Sequence, residues 1–136
     1  MSYAFDTGFV CYYRGWHELR PHDTGVLWEH FVLNELQAHL QSREIHCWRD
    51  KRRHEIDFVL TPRGRSPLAI ECKWAVGEFD AANMQAFGKQ YPRAKFYVVA
   101  HDIERSFVRH YGEQAVKFVA LAELLDEASN LQKPEK

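Results

Sequence analysis

Cysteine is scarce. The 136 residues hold three, Cys11, Cys47 and Cys72, odd in number, far apart and without a CxxC pair. That spacing supports neither a disulfide framework nor a zinc knuckle, and a reducing cytoplasm is the default. Long apolar runs are also missing, which excludes a membrane span. The start, Met1-Ser2-Tyr3-Ala4-Phe5-Asp6, lacks the basic stretch and apolar run of a signal peptide. Charge of one sign is absent: 18 basic against 19 acidic residues give a net charge of −1. No global field therefore draws in a nucleic acid or a membrane, and any such partner must meet a local patch. Seven Gly and five Pro are too few for a collagen-like or disordered chain, and no repeat appears. What remains is 46% hydrophobic and 14% aromatic, enough for one core. The reading is a single domain over 1–130, with an N-terminal extension at 1–22, a core at 25–100, C-terminal additions at 101–130 and a disordered tail at 131–136.

The pattern predicts a short helix near 6–14, then a loop. Asp23-Thr24 can cap a helix over 25–41, whose Val32, Leu33, Leu36 and Leu40 form one stripe. Strands follow at 45–49, 55–60 (EIDFVL) and 68–74 (LAIECKW). Arg49-Asp50-Lys51-Arg52-Arg53-His54 turns the first into the second, and Thr61 to Pro67 the second into the third. A second helix over 80–91 stops at Pro92. A fourth strand at 95–100, a short helix within 102–112, an edge strand at 116–120 and a closing helix at 121–130 complete an α/β domain. Its mixed sheet is flanked by helices in the order α-β-β-β-α-β. Short turns between the first three strands exclude a fully parallel sheet.

The informative residues are acids where hydrophobes belong. At about 100° per residue, Glu29 points with the apolar stripe of the first helix. By alternation, Ile56, Phe58 and Leu60 share one strand face, and Glu55, Asp57 and Val59 the other. In the next strand Ala69, Glu71 and Lys73 share a face, opposite Ile70, Cys72 and Trp74. Pairing of the two strands sets Asp57 beside Glu71, and the helix can lay Glu29 over both. Two like charges about 4 Å apart repel by roughly 4 kcal/mol near a surface. A raised pKa or a divalent cation must offset that. An all-carboxylate shell suits Mg²⁺ or Mn²⁺ rather than zinc. With Lys73 alongside, such a set is machinery for phosphodiester hydrolysis. Taken singly, each acid reads as an edge residue or an ion pair; their joint placement favours the site.

Arg43 to Arg65 holds seven basic and four acidic residues, a local +3. Its turns can grip phosphates, with Arg49, Lys51, Arg52 and Arg53 as candidates. Equally, they can guard sheet edges. Eight histidines show no HExxH or HxxxH spacing, and His54 alone lies near the proposed site. Trp16, Trp28, Trp48, Trp74, Phe96 and Tyr97 read as core rather than as base-stacking platforms. No GxSxG supports covalent hydrolysis.

At Glu29, Asp57 and Glu71-Cys72-Lys73 the chain resembles the PD-(D/E)XK nuclease-like superfamily. Its signature is a helix acid, a strand Asp and Glu-x-Lys on the next strand. The flanks Phe5-Asp6-Thr7-Gly8, Gly25 to Leu36, Trp48-Arg49-Asp50-Lys51, Tyr91 to Lys95 and Val116 to Leu125 are similar to one subgroup. This is the uncharacterised C-terminal domain of prokaryotic AAA+-type ATPases. The chain departs from that subgroup where Arg52-Arg53-His54 lacks the usual hairpin glycine. It has no Gln-x-x-x-Tyr element on the second helix, and no GxxxxGK[ST].

The resemblance implies a restriction-endonuclease-like core and a metal-dependent nuclease acting on DNA. Glu29, Asp57, Glu71 and the Cys72 backbone carbonyl would ligate Mg²⁺ or Mn²⁺, and Lys73 would assist the water. It also implies a possible ATPase partner, and a homo-oligomer is compatible with it. The alternative is a non-catalytic interaction domain of an AAA+-type ATPase system, with the acids kept as a relic.

Overall fold

The structure is a computed structural model that describes residues 9–12, 24–40, 45–62 and 64–132. Its seven-stranded mixed sheet runs β1-β2-β3-β4-β5-β7-β6. The strands are β1 (Phe9–Tyr12), β2 (His46–Arg49), β3 (Glu55–Leu60), β4 (Leu68–Cys72), β5 (Lys95–Val99), β6 (Phe107–Tyr111) and β7 (Gln114–Val119). Among the described residues three α-helices accompany them: α1 (Thr24–Leu40), α2 (Ala82–Gln90) and α3 (Leu121–Gln132). Short turns make β2 to β4 antiparallel neighbours, and β1, separated from β2 in the chain by α1, pairs antiparallel with it. The path through α2 gives β5 the length it needs to return parallel to β4.

Each face of the sheet has its own core. Val32, Leu33 and Leu36 of α1 and Leu124, Leu125 and Ala128 of α3 cover Phe58, Leu60, Ile70, Tyr97 and Val99. On the other face Met84 and Phe87 of α2 cover Trp48, Ile56, Val59, Ala69, Phe96 and Phe118. Covered on both sides, β4 is buried at every residue, which explains its nearly continuous apolar run. Glu71 is the exception in that run. No helix among the described residues is long and apolar enough to cross a membrane.

Several expectations are corrected. Phe9–Tyr12 is a strand rather than part of a helix; the rest of 6–14 lies outside the described residues. The helix expected within 102–112 gives way to strand β6, antiparallel to β7. β6 and β7 are joined through Gly112 at φ 66°, a left-handed position that glycine holds without strain. Strand β7 is internal, between β5 and β6, rather than an edge. Helix α3 extends to Gln132, so part of the expected tail is helical, and 133–136 lie outside the described residues. Cys47 is disulfide-bonded, against the reading of the cysteines as unpaired, and the strand register sets Cys11 across from it. Strand pairing, not sequence spacing, brings those positions together.

Candidate active site

The site lies where β3 and β4 part. Their ladder pairs Leu60 with Leu68, Val59 with Ala69 and Phe58 with Ile70. Continued one step, it would set Asp57 opposite Glu71. The Asp57 carboxylate takes over instead: Oδ2 accepts the Cys72 backbone N–H at 2.8 Å. A bulge lies on the other side of β3. The β2–β3 register slips between His46↔Val59 and Trp48↔Ile56, so β3 carries one extra residue there. The slip turns Ile56 to the α2 side with Val59, while Phe58 and Leu60 face α1. Simple alternation, which put Ile56 with Phe58, fails at this point.

Glu71 is 2% exposed. It follows Ala69 on the α2 side, and Asn83 of α2 donates a hydrogen bond to it. The same amide accepts the Glu55 N–H through Oδ1 at 3.2 Å, which fixes its orientation. Oε2 of Glu71 is buried without a hydrogen-bond partner. Glu29 approaches from the α1 side and is half-buried, so the acids meet from opposite faces rather than along one. Lys73, also half-buried, follows β4 and donates its backbone N–H to the Val99 carbonyl at 3.0 Å.

These groups feel one another. Burial, then the charges of Glu71 and Glu29, hold the Asp57 carboxyl well above its usual range, against the pull of the Cys72 N–H and Lys73. Glu71 is pushed up to about 7, first by burial and then by Glu55 and Glu29; Lys73 and Asn83 oppose the rise. Burial and the three acids also push the Cys72 thiol up, so it stays neutral. Among the described residues no three His, Cys, Asp or Glu side chains form a ready metal group. The donor chemistry nevertheless fits a hard dication. The oxygens are carboxylate, one is an orphaned buried atom, and the acids strain against their own ionisation.

The basic turn is well built. Asp50 accepts the backbone N–H of Arg52 at 2.9 Å and that of His54 at 2.8 Å, and its Oδ2 meets His54 Nδ1 at 2.8 Å. Burial raises the Asp50 carboxyl, but these bonds outweigh it and leave the pKa lowered. His54, the histidine nearest the expected site, thus serves the turn. Arg53 takes φ 66°, a left-handed conformation that glycine holds without strain. Lys51, Arg52 and Arg53 are exposed, and Arg49 pairs with Glu55 at 3.3 Å.

Trp48, Phe96 and Tyr97 are core, as expected. Trp28 is partly buried, Trp16 lies outside the described residues, and Trp74 departs from expectation at 38% exposed. Sequence reasoning missed Asn83. An Asn on the first turn of a helix carries no signal until the fold sets that turn over Glu71.

A mixed sheet covered by helices on both faces, with a buried acid at a strand divergence, defines an α/β domain. A family model described as "Domain of unknown function (DUF4143)" matches residues 24–121, and the chain belongs to that family. No curated protein and no solved structure was found to match it.

Proposed function

We propose that this domain is a metal-dependent phosphodiesterase of nuclease type, acting on DNA and built on a restriction-endonuclease-like core. The observation that carries the reading is Glu71, an acid inside the sheet with an orphaned oxygen, beside Asp57 at the point where the strands part. Glu29, Asp57, Glu71 and the Cys72 carbonyl would hold Mg²⁺ or Mn²⁺. When bound, the dication would supply the charge that polarises the phosphodiester and lowers the pKa of an attacking water. Lys73 orients that water and offsets the negative charge that grows in the transition state. Asn83 aims Glu71 and holds one of its oxygens. The exposed Lys51-Arg52-Arg53 turn grips the DNA backbone, with Arg49 beside it.

The test incubates the protein with plasmid, single-stranded DNA and RNA in Mg²⁺, Mn²⁺ or EDTA. The expected result is metal-dependent DNA cutting that is lost in both Asp57→Asn and Lys73→Ala. Cutting that persists in both variants, or no cutting together with no calorimetric Mn²⁺ uptake, overturns the reading. The second result leaves a non-catalytic partner module of an AAA+-type ATPase.

A further inference from the structure

Beside the acids stands a group of rings that the proposed hydrolysis does not use. Trp74 directly follows Lys73 and stacks on His101, with centroids 3.6 Å apart and planes 12° apart. Trp28, next to Glu29, meets Trp74 edge-on at 5.9 Å and stacks on Phe31 at 6.0 Å. Its indole N–H is spent on the Val99 carbonyl at 3.1 Å, which fixes the ring. Trp74 and His101 follow the ends of β4 and β5, and those strands are parallel. The rings therefore rim the carboxyl end of that pair, the edge at which open α/β sheets bind ligands.

The platform is held in place. His101 donates its backbone N–H to the Trp74 carbonyl at 3.2 Å, and its Nδ1 contacts the same oxygen. The Val76 N–H reaches Asp102 Oδ1 at 3.1 Å, which ties the two loops together again. Yet the rings are open to water. Trp74 is 38% exposed and Phe31 50%, and His101 is exposed as well. A fixed, exposed aromatic stack resists hydration and offers flat π surface to a planar partner.

Charge selects the partner. Lys73 adjoins Trp74 in the chain, and the basic turn carries Lys51, Arg52 and Arg53. Cations with flat rings match the two halves of a nucleotide, phosphate and base. An apolar protein segment would use the rings and waste the cations. A base within a duplex is already stacked on both sides, so the rings gain only from an unpaired one.

We propose that Trp74 and His101, backed by Trp28, stack an unpaired DNA base beside the cleavage site, so that the substrate is single-stranded or frayed DNA. The inference rests on the phosphodiesterase reading for its substrate class. Its test is binding without metal, so the two can fail separately.

In EDTA, quenching of tryptophan fluorescence and anisotropy of a labelled oligothymidylate give the affinity, with a blunt hairpin duplex and an oligouridylate in parallel. The oligothymidylate is expected to bind most tightly. Trp74→Ala should weaken it about tenfold, the loss of one base–aromatic stack, and Trp74→Phe should restore most of the affinity. Circular dichroism checks folding. If Trp74→Ala does not fold, His101→Ala carries the test, with a loss of several-fold expected.

Unchanged affinity in a folded Trp74→Ala or His101→Ala variant overturns the platform. So does a preference for duplex or for RNA, or binding of peptides instead of nucleic acid. Trp74-dependent binding by a protein that cuts nothing keeps the platform and removes the hydrolytic reading. Cutting with Trp74-independent binding does the reverse.

Discussion

Glu71 is a carboxyl that water barely reaches. Unfolded, it releases its proton near 4.5; folded, it holds it to about 7. Between those values the native state binds more protons, so without metal stability falls as pH rises through that window. The loss reaches on the order of 3 kcal/mol at its upper end. Asp57, also raised, adds a loss of the same sign. Urea unfolding at pH 5 and pH 8 in EDTA measures the fall, and Glu71→Gln should flatten most of it. A second residue-scale outcome concerns Arg53, held at φ 66°. Arg53→Gly removes the left-handed penalty and should stabilise the turn by about 0.5 kcal/mol, despite the looser unfolded chain. Thermal denaturation checks this. Glu29, Asp57, Glu71 and Lys73 were legible in the sequence because a charge inside an apolar pattern is conspicuous. Trp74 was misread because a tryptophan says nothing of which strand end it crowns.

At the scale of elements, α1, β3, β4, α2 and β5 were readable because each is an apolar stretch whose ends are marked by capping or turn residues. The hairpin β6–β7 was harder. Phe107, Arg109 and Tyr111 alternate as a strand does, and Arg109 lies over the Phe107 and Phe118 rings at 4.9 and 5.5 Å. His101 to Arg105 ahead of them hid that alternation among charges. The bulge in β3 was not readable, because it depends on how β2 pairs. Helix α2 matters to the site through one side chain. Asn83→Ala removes the donor to Glu71 and the acceptor for the Glu55 N–H. Calorimetry should then show Mn²⁺ affinity reduced about tenfold or more, the usual cost of losing a group that orients a ligand.

For the whole molecule, the acids set a balance between folding and ligand. They tax the native state, and a dication that binds only the folded chain returns stability through mass action. At about 100 times its dissociation constant the gain is about 2.7 kcal/mol. Differential scanning fluorimetry should show a higher midpoint in Mn²⁺ than in EDTA, most clearly at pH 8, above the value of about 7 to which Glu71 is pushed. Glu71→Gln with Asp57→Asn should abolish the difference. A midpoint indifferent to Mn²⁺ in the native sequence would count against the metal site.

Asp57 also completes the sheet, since its carboxylate receives the Cys72 N–H where the ladder to β3 gives out. Truncation to Ala would orphan that amide at a cost of about 1–3 kcal/mol, whereas Asn keeps an acceptor. A lineage that had abandoned hydrolysis would therefore still retain an acceptor at position 57 for architecture alone. Lys73 serves the sheet through its backbone N–H on Val99, a bond that any residue except proline would make. Among descendants of this fold, the side chain at position 73 is the one whose loss would cost the scaffold little, and so its persistence is the better marker of living chemistry.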